Sequence, residues 1–334
     1  MTALDYPFRG RAPASEATFT VSPGVRWRQV PLKGPLRHIN CWMLGDGADV
    51  SIVDTGFQDE AARAGWRAAL AGERVTRVIC THHHPDHSGL AGWLCREHHA
   101  PLVMTDAEWR SLSRFAEAHS ATEDIVRYWR MAGWNEAQIA QSLRGWGQFS
   151  ALFSPPPESF QRIANDDRLR LGNAEWRVVV GNGHSPEHAC LLDERSGVLI
   201  SGDQVLPGIS PNISLLPSEP ESDPLGEWLA SIERLRLLDA DLLVLPSHGD
   251  PFRGLHARLD AMAEEHHRQL DKLHLLLTRP HRVVDCFPAL FRRAIGPGTI
   301  EMATGETLAH LRRLEIEGRV AREMRDGVYW FAVT

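Results

Sequence analysis

The sequence predicts an α+β protein of packed sheets beneath outer helices, with a helical insertion and a small additional unit at the C-terminus. Three observations carry that prediction. Short strand-like runs fill the first third of the chain and return after residue 168, mixed with helices but without a strict βαβ repeat. Residues 106–150 interrupt them with helical spacing. A long apolar-striped stretch beginning near residue 255 separates all of this from the last fifty residues.

Taken in order, the first strands read at Thr18–Val21, Ile39–Leu44, Val50–Val53 and Val75–Cys80, punctuated by turn signals such as Gly45-Asp46-Gly47. An alanine-rich amphipathic helix (59–72) lies between the third and fourth, and a second helix (88–99) follows. Pro101–Thr105 adds a strand. The insertion carries Trp109, Leu112, Phe115, Ile125, Trp129, Ile139 and Leu143 at helical spacing and stops at Pro155-Pro156-Pro157. Strands resume at Arg168–Leu171, Glu175–Val180, His188–Leu192 and Val198–Ile200, then a helix (224–238) and the strand Leu242–Leu245. Leu255, Leu259, Met262, His266, Leu270, Leu273 and Leu277 mark one face of a long helix. After it come a helix over Thr307–Gly318 and two strands, Val320–Met324 and Val328–Val333, around Arg325-Asp326-Gly327. That is the outline of a winged-helix-like unit. The expected division is a catalytic body over 1–255 with an insertion or cap over 106–160, a connecting helix over 256–282, and the small unit over 283–334.

Composition narrows the function. A net charge of −7 argues against binding nucleic acid or an anionic membrane through bulk electrostatics. Five scattered cysteines without a CxxC pair form neither a disulfide framework nor a zinc–thiolate site, so reduced thiols are expected. Met1–Thr20 lacks the apolar core of a signal peptide, and no run reaches the roughly 18 apolar residues of a membrane span. The expected location is therefore cytoplasmic. Lysine occurs only at Lys33 and Lys272, so an arginine means nothing by type alone. Histidine, with 17 copies, is different, because it is the commonest metal ligand.

Residues 81–87 read Thr-His-His-His-Pro-Asp-His. By composition, H-x-H-x-D-H should arise about 0.003 times in such a chain. The strand Val75–Cys80 is expected to deliver His82 and His84 to one side. Pro85 should then end regular structure and let Asp86 and His87 turn to a second point. Further metal-capable residues follow apolar strands beside glycine or proline: Asp54, His184, Asp203 and His248. His83 points away and is not a ligand on this reading, and His188 supports a ligand rather than being one. His256, His266, His267, His274, His98 and His99 read as solvated or packing residues.

On these residues the chain resembles a metallo-β-lactamase-fold hydrolase, an αββα sandwich, with the motifs matching in order over roughly residues 20–255. The resemblance implies that His82, His84 and His184 bind one divalent metal ion and Asp86, His87 and His248 a second. Asp203 would bridge the two. It also implies that Asp54 holds a ligand imidazole by hydrogen bond, and that Asp86 and Asp54 count among the catalytic carboxylates. Zinc suits five imidazoles and two carboxylates, with iron or manganese as alternatives. Two such ions lower the pKa of a shared water, so that a bridging hydroxide attacks an ester-type carbonyl at neutral pH.

Aspartate at 203 resembles the glyoxalase II-like branch, which includes thioesterases, lactonases and phosphodiesterases, rather than relatives with cysteine there. The 45 positions between Asp203 and His248 leave no room for the extra domain of RNA-cleaving relatives. Gly181-Asn-Gly-His184-Ser and Glu187 depart from the glyoxalase II pattern, and its glutathione-binding part is absent. A thioester such as an acyl-CoA is the expected small-molecule substrate, with lactones, phosphodiesters and β-lactams as alternatives. The insertion's Trp109, Trp129, Trp134 and Trp146 either pack it onto the body or wall an apolar acyl pocket. A DNA-binding regulator is the rival of another class. Its would-be recognition helix carries a charge balance of zero, so no nucleic-acid partner is expected. An iron oxygenase on the same fold is a further rival, disfavoured by the complete second ligand set. No membrane partner is expected, and a homodimer is among the options.

Overall fold

The computed structural model describes residues 4–14, 17–34, 36–118, 120–146 and 148–334. Seven strands lie side by side in chain order: β1 (Phe19–Ser22), β2 (Val25–Pro31), β3 (His38–Leu44), β4 (Asp49–Val53), β5 (Arg74–Ile79), β6 (Leu102–Met104) and β7 (Gln161–Arg162). Successive side chains of a strand take opposite faces, and β3 shows the result. Trp42 and Leu44 enter an inner cluster with Val53 and Ile79, while Cys41 and Met43 enter an outer one. The second sheet contains β8 (Arg168–Leu171), β9 (Ala174–Gly181), β10 (His188–Asp193), β11 (Val198–Gly202) and β12 (Leu243–Pro246), in reverse order across the sheet. Here Ala189 and Leu191 face inward, Cys190 and Leu192 outward. The inner faces of the two sheets share one core.

Helices cover both outer faces. On the first sheet, α1 (Glu60–Ala69), α3 (Ala91–His98) and α4 (Asp106–Ala116) pack Trp66, Leu94 and Leu112 onto Met43, Ile52 and Val78; the short α2 (Pro85–Ser88) precedes α3. On the second lie α5 (Glu123–Met131), α6 (Glu136–Trp146), α7 (Pro224–Leu235), α8 (Leu255–Leu276), α9 (Phe287–Leu290) and α10 (Ile300–Ile316). A small sheet, ordered β13 (His281–Arg282), β15 (Val328–Val333), β14 (Val320–Arg325), closes the chain. Its Val320 and Phe331 join the same cluster as α10, α7 and Val244. The last fifty residues therefore share a core with the second sheet.

Several elements differ from expectation. β2 lies outside the expected strands, although Val25, Trp27 and Val30 are buried with polar residues between them. β7 and β13 are two residues each, too short to leave a periodic signal. The final helix begins at Ile300, not Thr307, and is buried nearly all round. Gly305 weakens its helical signal, yet a Cβ there would stand 2.5 Å from Ser214 Oγ. Pro85 opens the helical turn α2 instead of ending regular structure, because its fixed φ suits a first helical position. Asp86 and His87 lie inside that turn. β5 ends at Ile79, so His82 and His84 sit on the loop beyond the strand. The tryptophans of the insertion pack: Trp129 stacks on Trp134 at 4.8 Å, and Trp134 and Trp146 donate to Thr304 and Glu301 of α10.

One edge collects the chemistry. β4, β5 and β6 run parallel, and so do β11 and β12, with β9 in the same direction. Their C-terminal ends lead into Asp54, His82–His87, His184, Asp203 and His248. Asn40 of β3 pins the two sheets together there. It accepts from Trp27 Nε1 (2.8 Å) and donates to the carbonyls of Pro246 (2.8 Å) and Gly249 (2.7 Å). Among the described residues, no helix is long and apolar enough to cross a membrane.

Candidate metal centre

The structure brings seven of the predicted residues together as two trios with one carboxylate between them. His82 Nε2 lies 2.9 Å from His84 Nδ1 and 3.2 Å from His184 Nε2. Asp86 Oδ2 lies 3.2 Å from His248 Nε2 and 3.6 Å from His87 Nε2. Asp203 divides its oxygens: Oδ2 stands 3.6 Å from His184 Nε2, and Oδ1 stands 3.5 and 3.6 Å from His87 and His248 Nε2. Side-chain nitrogens and oxygens this close, all facing one another, are what a cation between them would organise.

Three of these atoms, His87 Nε2, His248 Nε2 and Asp203 Oδ1, are buried without a hydrogen-bond partner. Burial of unpaired polar atoms is costly, and coordination removes that cost. The far ring nitrogens, by contrast, are committed. His87 Nδ1–H donates to Asp54 Oδ2 (2.8 Å), His184 Nδ1–H to the Asn212 carbonyl (2.8 Å) and His248 Nδ1–H to the His38 carbonyl (2.9 Å). Carboxylates and carbonyls only accept, so each Nδ1 keeps the proton and each Nε2 turns a lone pair inward. Thr81 treats His82 likewise: its hydroxyl donates to Asp54 (2.9 Å) and accepts from His82 Nδ1–H (3.1 Å). The donor set fits divalent metal.

Asp54 thus sits behind His87 and does not face the centre. It is fully buried, receives the Thr81 N–H at 2.8 Å, and adopts a left-handed backbone with φ 61° that aspartate tolerates better than most residues. Glycine is required at 202, where φ is 55°: a Cβ would lie 2.3 Å from His188 Cε1. His188 Nε2 in turn accepts the Asp203 N–H at 3.1 Å.

The two trios differ electrically. Burial and the neighbouring imidazoles hold His82 and His84 well below the usual histidine range, and burial lowers His184. Burial acts the same way on His87 and His248, but the carboxylates of Asp86 and Asp203 outweigh it and raise both. The second trio demands positive charge.

His83 does turn away: its Nδ1 meets Glu108 Oε2 at 2.6 Å and its ring stacks on Phe115 at 5.3 Å. Burial opposes ionisation of Glu108, yet the His83 charge and hydrogen bonds hold its carboxyl down to about 2. Sequence reasoning missed Glu108, although it falls on the buried face of α4 with Leu112. It also missed Asn212 and His38, which act through main-chain carbonyls that no residue type announces.

Comparison with known proteins agrees with the geometry. A family profile described as Metallo-beta-lactamase superfamily matches residues 34–248, and one described as Metallo-beta-lactamase-like, C-terminal domain matches residues 270–334. The crystal structure of a beta-lactamase domain protein from Burkholderia ambifaria is 39% identical with a TM-score of 0.92, covering 99% of this chain and 98% of that one. An atrochrysone carboxyl ACP thioesterase of Emericella nidulans is 28% identical over 309 residues, 88% of this chain and 80% of its own. The acyl-coenzyme A thioesterase MBLAC2 of Gallus gallus is 26% identical over 239 residues, 69% of this chain and 79% of its own.

Proposed function

The chain belongs to the metallo-beta-lactamase superfamily, whose fold implies a divalent-metal site, and from that premise we propose that it is a dinuclear hydrolase of thioesters. The observation that carries this reading is Asp203, with one oxygen toward each trio. The two relatives named as thioesterases support the choice of substrate class, an acyl group on a CoA-like or protein-borne thiol. Aspartate at 203 supports a likeness to the glyoxalase II-like branch.

His82, His84 and His184 would hold one ion, Asp86, His87 and His248 the other, and Asp203 both. Zinc suits this set, and iron or manganese are compatible with it. When bound, such ions supply an acidified water and a Lewis acid for the acyl carbonyl. The chain's own part is orientation. Asp54, the Asn212 carbonyl and the His38 carbonyl fix three imidazoles in the Nδ1–H form. The reaction adds water across the acyl C–S bond to give a carboxylic acid and a thiol.

We read residues 283–334 as winged-helix-like but not as a DNA reader. Helix α10 is buried against the body, and Arg312 and Arg313 are paired with Glu221 and Asp223. A charge-neutral helix of this kind offers little to phosphates. The five free, buried cysteines support a reduced cytoplasmic setting. The test is a panel of acyl-CoA esters with the zinc-loaded protein. Turnover there supports the reading; no turnover there, with turnover of a phosphodiester or lactone, sinks it.

A further inference from the structure

The chain after Asp203 runs through residues 205–216, and the C-terminal helix grips that segment. Leu215 N–H donates to the Gly305 carbonyl (3.0 Å), and Asn212 Nδ2 donates to Glu306 Oε2 (2.8 Å) and the Met302 carbonyl (3.3 Å). Gly305 permits this approach, since a Cβ would strike Ser214. From other elements, the Tyr128 hydroxyl donates to the Leu215 carbonyl (2.6 Å) and Arg258 to the carbonyls of Leu206 and Ile209.

Asn212 is used twice. Its side chain is held by Glu306, and its main-chain carbonyl receives His184 Nδ1–H at 2.8 Å. A carboxyl group, an amide and an imidazole therefore form a single chain from α10 to the first trio. Tilting the Asn212 peptide would loosen His184 and leave its Nδ1–H unpaired. Burial pushes the Glu306 carboxyl up to about 7 against the opposing Asn212 bond. An apolar side chain would fill such a place at lower cost, so the polar contact itself has a use.

We propose that Glu306 is a positioning residue of the metal centre, acting through Asn212 on His184, so that the C-terminal unit helps to set metal affinity. The proposal rests on the metal-centre part of the function above, not on the thioester. Partners behind metal ligands typically contribute about 10- to 100-fold in affinity.

The test compares Glu306→Ala, Glu306→Gln, Asn212→Ala and the Glu306→Ala/Asn212→Ala double variant in the full chain. Zinc affinity is measured by chelator competition, folding by circular dichroism, and the His184 Nδ1–H by nitrogen-edited NMR. Glu306→Ala and Asn212→Ala should each weaken one zinc equivalent about tenfold or more and shift the His184 signal. The double variant should be no worse than either, because both break the same link. Glu306→Gln, which still accepts from the Asn212 amide, should return affinity to near the parent's. If Glu306→Ala does not fold, Asn212→Ala and Glu306→Gln report on the same link. Parental affinity in a folded Ala variant, failure of Gln to restore, or multiplying effects in the double variant would each overturn the proposal. A parent that takes up no metal would overturn the metal-centre reading and this proposal with it. A parent loading two ions beside an unaffected variant overturns the proposal alone.

Discussion

His82, His84, His87, His184 and His248 form one buried cluster, and His266 and His310 form another, but their ring nitrogens are spent differently. In the second, His310 Nδ1–H donates to the Glu306 carbonyl (2.8 Å) and its Nε2 accepts from His266 Nδ1–H (3.0 Å). The Ser210 hydroxyl donates to His266 Nε2 at 2.8 Å. Every nitrogen is satisfied by protein. In the first cluster the outer nitrogens of His87, His184 and His248 are satisfied and their inner ones face Asp86 and Asp203. Burial of histidine is common to both; what suits a metal is the inward lone pair backed by an acceptor behind the ring.

That contrast can be broken most severely at the first cluster. His84→Ala should abolish binding of one ion and cut hydrolysis by about 100-fold or more, since one ion instead of two is left to acidify the water and polarise the carbonyl. Metal analysis and acyl-CoA turnover check this. Asp54→Asn keeps a residue tolerant of the left-handed backbone while removing the charge behind His87. It should weaken metal binding about 10- to 100-fold, read by chelator competition.

The second cluster should respond to acid and not to chelators. Burial, with His310 adding to it, depresses His266 to about 3, and burial depresses His310 to about 4. Below about 6.5 the unfolded chain takes up protons that the folded chain refuses until about 4 and 3. The unfolded state binds more protons in that window, so stability falls as pH falls, by up to about 1.4 kcal/mol per unit for each histidine. His310→Gln should flatten this slope in urea titrations at pH 7 and pH 5, with two metals still bound. The smallest effect is expected at Gln269, whose Oε1 lies 3.0 Å from His310 Nε2 but takes no proton from a nitrogen that already accepts from His266. Gln269→Ala should cost about 1 kcal/mol or less in urea stability and leave metal content at the parental level.

The candidate site residues were legible because each follows a buried strand at a chain reversal, and parallel strands bring such ends to one edge. Asp54, His184, Asp203 and His248 share that placement. The packed sheets were legible as short apolar runs, because β3 and β10 are buried on both faces and send alternate residues into two different cores. What stayed hidden acts through backbone or across helices. The carbonyls of Asn212 and His38 carry no signature in residue type. The start of α10 was masked by Gly305, which answers to Ser214 and not to helix propensity. The polar grip of α10 on residues 212–215 depends on a docking that no local pattern encodes.

Asn40 has a consequence in biosynthetic time. Its side chain waits for the carbonyls of Pro246 and Gly249, more than 200 positions downstream. At about 5–20 residues per second, the 166 positions from His82 to His248 take roughly ten to thirty seconds to synthesise. Throughout that interval the His82–His87 loop is translated but lacks the partners that complete it. A ribosome that stalls before residue 168 leaves a nascent chain with half a chelating site and one unsupported sheet, a species suited to chaperone capture rather than to metal loading.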